Sequence, residues 1–164
     1  MDKAAELLVV VEDSDEDYYA LHRAIQKVCS PTHVVRCTDG DEALDLICGT
    51  TASANQPNPV ESSIKNPAAV LLDLNLPGTD GREVLEQLKQ DNRYKSIPVV
   101  IFSTSSNPRD IEFCYKTGAN GYLVKPMDVG ELQNLIKAFA DYWLRSNTPP
   151  PETMPNDLFP LSTY

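Results

Sequence analysis

The chain has 164 residues, 41% hydrophobic and 23% charged, which suits one ordinary domain with a tail rather than two domains. Its 14 Lys and Arg against 24 Asp and Glu leave a net charge of −10, and that balance argues against nucleic-acid binding, which draws on clustered cations. The longest apolar runs, Leu7 to Val11 and Ala68 to Leu72, are far too short for a membrane span, and the opening MDKAAE has no secretory apolar segment, so a soluble cytoplasmic protein is expected.

Five apolar runs alternate with segments of helical period. LLVVV (7–11) is the first, and Ser14 then caps a helix whose acidic turn Asp15, Glu16 and Asp17 leads into the stripe Leu21, Ala24, Ile25 and Val28. HVVRC (33–37) precedes a short helix from Asp41 to Cys48. Gly49 to Pro67 breaks the pattern: it is polar, holds three prolines and lacks any catalytic cluster, so it reads as a mobile insertion. AAVLL (68–72) follows. Asp80 with Glu83 then reads as a capping box ahead of Val84, Leu85 and Leu88. After PVVIF (98–102), Asn107 and Pro108 start a helix that Gly118 is placed to end. GYLV (121–124) leads to a final helix opened by Asp128 and Glu131 and carrying Leu132, Leu135, Ile136, Phe139 and Trp143. Residues 145–164 hold five of the 13 prolines and are expected to be extended. Their Leu158, Phe159, Leu161 and Tyr164 either fray or dock on this or a second subunit.

Five alternations of strand and helix imply an α/β fold with an open, doubly wound parallel sheet, because each right-handed crossover needs a covering helix. The mostly continuous apolar runs agree, since such strands are covered on both faces. Cys29, Cys37, Cys48 and Cys114 form no close pair and read as free thiols packed as small hydrophobes. His22 and His33 are isolated and read as neither ligands nor catalysts.

Ligand chemistry in these sheets lies beyond the carboxyl ends of the strands. There the sequence sets Glu12 and Asp13 after the first run, Asp73 after the third, Ser103 and Thr104 after the fourth, and Lys125 after the fifth. Two carboxylates about 4 Å apart repel by about 4 kcal/mol at an effective dielectric near 20. Three together must take up protons or bind a cation. With oxygen donors and no His or Cys, Mg²⁺ fits and zinc does not. Lys125 and Ser103 then suit phosphoryl oxygens, and Asp73 is the candidate carboxylate nucleophile.

The order ED (12–13), LLDLNLPGTDG (71–81), PVVIFSTS (98–105) and GANGYLVKP (118–126) resembles the receiver domain of two-component response regulators over residues 6–144. The resemblance implies a flavodoxin-like five-stranded sheet in the order 2-1-3-4-5. It implies that Asp73 is the phosphoacceptor, that Asp13 and Asp73 bind Mg²⁺, that Glu12 acts largely through a water, and that the Asn75 carbonyl completes the metal shell. Ser103 stands where the family holds the phosphoryl group and Lys125 pairs with that group, before a Lys125–Pro126 bond expected to be cis. Tyr122 takes the place of the aromatic switch residue, and Asn75 and Ser105 stand where the family tunes dephosphorylation. LPGTDGREVL, the STS after the fourth run and the closing FADYWL resemble more narrowly the small regulators paired with phytochromes. A phytochrome-type sensor histidine kinase, a downstream protein and a second copy of the chain, meeting through Phe139, Tyr142, Trp143 and the tail, are therefore the expected partners.

Two rivals stand beside this reading. A haloacid-dehalogenase-type phosphatase also uses strand-end Asp, Ser and Lys with Mg²⁺, but it needs a second Asp two residues past the nucleophile, where this chain has Asn75. A receiver-like module that no longer takes phosphate would have lost acids or the lysine, and none is lost here.

Overall fold

The computed structural model describes residues 6–29, 32–49 and 67–150. Its elements run β1 (Glu6–Val11), α1 (Asp15–Val28), β2 (Thr32–Cys37), α2 (Gly40–Cys48), β3 (Ala69–Leu72), α3 (Gly81–Gln90), β4 (Val99–Ser103), α4 (Pro108–Thr117), β5 (Gly121–Val124) and α5 (Val129–Phe139). A π-helical turn, Ala140–Ser146, continues α5. All strand pairs are parallel, in the order β2-β1-β3-β4-β5. The order reverses beside β1, and that is where an open sheet of this kind leaves a crevice at its carboxyl edge.

Alternate residues of each central strand feed two separate cores. Val9, Val11, Val70, Leu72, Val99 and Ile101 pack under α2, α3 and α4. Leu8, Val10, Leu71, Val100 and Phe102 pack under α1 and α5. Each fully buried Leu or Val contributes about 1.5–3 kcal/mol, so covering both faces is what holds the central strands. The edge strands gain less. β2 is buried throughout only at Cys37, and β5 buries none of its four residues fully.

The expected caps of α1, α4 and α5 form. Ser14 accepts from Asp17 N–H, Asn107 from Arg109 N–H and Asp128 from Glu131 N–H, while Gly118 ends α4 in the left-handed region. Three local expectations need correction. α2 begins at Gly40, one residue before Asp41, because Asp39 caps it by accepting from Glu42 N–H. Asp80 caps α3 through Arg82 N–H, not Glu83 N–H, and takes the Arg82 guanidinium as well. Arg145 and Ser146 are not extended: the π turn includes them, closed by Asn147 N–H on the Tyr142 carbonyl at 2.7 Å. Most of the Gly49–Pro67 insertion and residues 151–164 of the tail lie outside the described residues.

All four cysteines are free thiols. Burial pushes Cys37 up to about 12 and Cys114 up to about 11, which keeps both protonated and inert. His22 stacks on Tyr18 with ring centroids 5.5 Å apart, and His33 is exposed on β2. Lys89 is the unusual cation. Its ammonium donates to the carbonyls of Lys95 and Ile97 and to Asn120 Oδ1 at 2.7–3.0 Å, and burial lowers it to about 8.

Candidate functional site

Strand β1 continues straight into Glu12 and Asp13, and β3 into Asp73. Asp73 N–H donates to the Val11 carbonyl at 3.1 Å, so the acids of the two strands end side by side. One carboxylate oxygen from each of Glu12, Asp13 and Asp73 lies within 4.8 Å of the others. Glu12 and Asp73 are buried, while Asp13 is exposed at the mouth. Three hard oxygen donors with one open side suit a divalent cation that keeps several waters, so the residues present fit Mg²⁺.

Lys125 enters the same space from the end of β5, its N–H bonded to the Ser103 carbonyl at 2.8 Å. Its side chain is 9% exposed, and its ammonium bonds Glu12 together with Asp17 and Asp73, the last two at 3.0 Å. Burial works to lower Lys125, but the bonds to Glu12, Asp17 and Asp73 outweigh it and hold the ammonium above its usual range. Glu12 moves the other way: burial drives it up to about 6, Lys125 opposes the rise and Asp73 adds to it. Both Glu12 oxygens are engaged, since Oε1 accepts from Ser14 N–H at 3.1 Å. Asp73 is held at both oxygens too, Oδ2 by Lys125 and Oδ1 by Asn75 N–H at 3.3 Å.

Ser103 is fully buried at the tip of β4, and its Oγ accepts from Ser105 N–H at 3.1 Å. Ser105 is a hub. Its carbonyl accepts from the Tyr122 hydroxyl at 2.8 Å, and its own hydroxyl donates to Asp110 at 2.6 Å. Asp110 in turn pairs with Arg82 from α3 at 2.8 Å, and these two bonds hold its carboxyl below the usual range. Half-buried Tyr122 packs against the core under α4, and burial raises its hydroxyl. Asn75 stays exposed at the rim.

Of the strand-end residues foreseen from sequence, Glu12, Asp13, Asp73 and Lys125 come together, and Ser103 is linked to them through its main-chain bond to Lys125. Three partners do not follow from strand ends. Asp17 reads as a helix-start acid yet bonds Lys125, because α1 begins beside the pocket. Arg36 donates to the main chain of Glu12 and Asp13. The Arg82–Asp110 pair braces Ser105 from a neighbouring helix. A polar residue late in a strand, as Arg36 is, was the sole signal available for it. A cleft of about 160 Å³ opens next to Lys125, lined by Asp17, Ala20, Phe102, Met127 and Val129 among others.

Residues 8–137 match the family model described as the response regulator receiver domain. Response regulator Rcp1 of Synechocystis is 31% identical over 88% of this chain and 92% of its own length. A probable methanogenesis regulatory protein, FilR2 of Methanothrix harundinacea, is 31% identical over 88% of this chain and 87% of its own. Among solved structures, the phosphorylated cyanobacterial phytochrome response regulator RcpA superposes with a TM-score of 0.78 at 35% identity, covering 90% of this chain and 99% of that one. The Mn²⁺-bound form of Rcp1 gives 0.75 at 31% identity, covering 88% and 99%.

Proposed function

This chain belongs to the response regulator receiver family, and from that premise we propose that it takes a phosphoryl group from a histidine kinase onto Asp73 and signals by protein contact. The observation that carries the reading is one ammonium, Lys125, bonded at once to Asp73 and to the acidic neighbour Glu12 in a half-enclosed crevice. The kinase is a phytochrome-type sensor; the similarity to the cyanobacterial phytochrome response regulator RcpA supports that choice.

Asp13 and Asp73 would hold Mg²⁺, with Glu12 acting through a water and the Asn75 carbonyl completing the shell. When bound there, the ion neutralises phosphoryl oxygens that would otherwise be repelled by the acids. An Asp73 oxygen forms the new P–O bond while the P–N bond to the donor histidine breaks, its electron pair leaving on the imidazole. Such transfers are loose in the transition state, so the protein contributes positioning and charge. Lys125 already holds Asp73 Oδ2 and shifts to a phosphoryl oxygen, and Ser103 Oγ donates to another.

Once Ser103 is drawn to the phosphoryl group, Ser105 must follow, and through Ser105 the Tyr122 hydroxyl loses or regains its acceptor. The result is a population shift between two packings of α4 and β5, biased by phosphate. Asn75 and Ser105, beside the acyl phosphate, tune its hydrolysis. Apart from this chemistry on its own carboxylate the chain is not an enzyme.

Incubation with acetyl phosphate and Mg²⁺ should add the mass of one phosphoryl group, and Asp73→Asn should abolish the gain. Uptake that survives the substitution overturns the assignment, and no uptake by the wild type favours a module that binds without phosphate. We also propose self-association. Phe139 is buried in the core and Trp143 packs against it, so of the three aromatic residues expected at the interface Tyr142, 54% exposed, is the one presented outward. Tyr142→Ser should weaken a dimer in sedimentation velocity, and an unchanged species removes this face from the contact.

A further inference from the structure

At the end of β1 the main-chain carbonyls of Glu12 and Asp13 leave the strand ladder, and a buried carbonyl such as that of Glu12 needs a donor. A single side chain from the matching end of β2 collects both. Arg36 Nε donates to the Glu12 carbonyl at 3.1 Å and Nη2 to the Asp13 carbonyl at 3.3 Å. Its remaining nitrogen, Nη1, pairs with Asp15 at 2.7 Å, and the guanidinium lies over the Tyr18 ring, 4.5 Å from its centroid. The side chain is 17% exposed, so four directed contacts fix a largely covered fork. The spacing follows from register: Val10 pairs with Arg36 and Val11 with Cys37, and Glu12 N–H reaches the Cys37 carbonyl at 3.0 Å.

We infer that Arg36 is a positioning residue of the divalent-cation site, holding the main chain from which the Glu12 and Asp13 carboxylates project and thereby setting the affinity for the cation. The inference rests on the receiver reading of that site. A carboxylate can be no better placed than the backbone that bears it, and groups that orient metal ligands typically set affinity by about 10–100-fold. A lysine cannot substitute, because an ammonium lacks the rigid planar fork that meets two carbonyls and a carboxylate together.

The sign of the effect separates positioning from charge. A cation near three carboxylates repels an incoming metal, so if Arg36 acted only by its charge, removing it would tighten metal binding. Positioning predicts the reverse. Mn²⁺ serves as the probe, with free ion counted by electron paramagnetic resonance on the full chain. Arg36→Met should weaken Mn²⁺ binding by about tenfold, and Arg36→Lys should fall between it and the wild type. Tyr94→Phe, which removes a hydroxyl bond to the Cys48 carbonyl far from the acids, should lower the melting temperature with Mn²⁺ affinity unchanged. Unchanged or tighter binding in Arg36→Met, or wild-type affinity in Arg36→Lys, overturns the inference. Should Arg36→Met fail to fold, Arg36→Lys decides alone. A wild-type protein that takes up no Mn²⁺ overturns the metal reading itself, which keeps the two failures apart.

Discussion

Lys125 bonds Glu12, Asp17 and Asp73, so three carboxylates share one ammonium, and a fourth, Asp13, lies within 4.8 Å of two of them. Such crowded carboxylates repel one another, and a divalent ion would relieve that repulsion. Replacing Asp13 by Asn removes one negative charge and keeps the shape. In EDTA this variant should be more stable than the wild type by about 1 kcal/mol, and added Mg²⁺ should stabilise it far less. Thermal melts with and without Mg²⁺ measure both effects, and an Asp13→Asn protein that melts lower in EDTA would show that repulsion is not the governing force. Asp13, Asp73, Ser103 and Lys125 were legible in the sequence because each stands at or just beyond an apolar run. Arg36 and Asp17 were not. Their partners are 24 and 108 residues away, and only strand register and helix placement bring them near.

At the scale of elements, α3 shows how closely the backbone serves the site. A Cβ on Gly81 would lie 2.1 Å from the Asp73 carbonyl oxygen and 2.7 Å from Leu74 Cα. Only glycine lets the helix begin against the chain that carries Asp73, and Gly81 N–H bonds the Leu74 carbonyl at 3.0 Å. Gly81→Ala should cost about 1–3 kcal/mol in urea unfolding, since backbone atoms must give way. A variant of wild-type stability would mean that the loop yields freely. By contrast α4 buries only Cys114 fully, and its start hangs on the Ser105–Asp110–Arg82 chain of bonds. An element with so little buried surface is the one that would shift most readily were Ser105 to move as proposed. Strand and helix existence could be read from apolar period and caps. The choice of Arg82 over Glu83 as Asp80's partner could not, nor that the same guanidinium also reaches Asp110, 28 residues away. Nor does any residue in ADYWLRS announce a π turn, within which Leu144 is buried and the Tyr142 and Trp143 rings meet edge to face at 4.8 Å.

For the whole molecule, alternation of apolar runs with capped helices was enough to specify a parallel sheet covered on both faces, because few topologies satisfy handedness and short connections at once. The strand order came from resemblance, and the family match and the β2-β1-β3-β4-β5 ladder agree with it. The route between α2 and β3 has a consequence of its own. Cys48 is fastened by the Tyr94 hydroxyl, ahead of β4, and Ala68 N–H bonds the Leu7 carbonyl at the start of β1. Both anchor points thus belong to the amino edge of the sheet, and the acids stand at the carboxyl edge. The chain therefore leaves α2 and enters β3 on the side of the sheet opposite the acids. A segment grafted between those two anchors would enter and leave the protein at the pole opposite the acids.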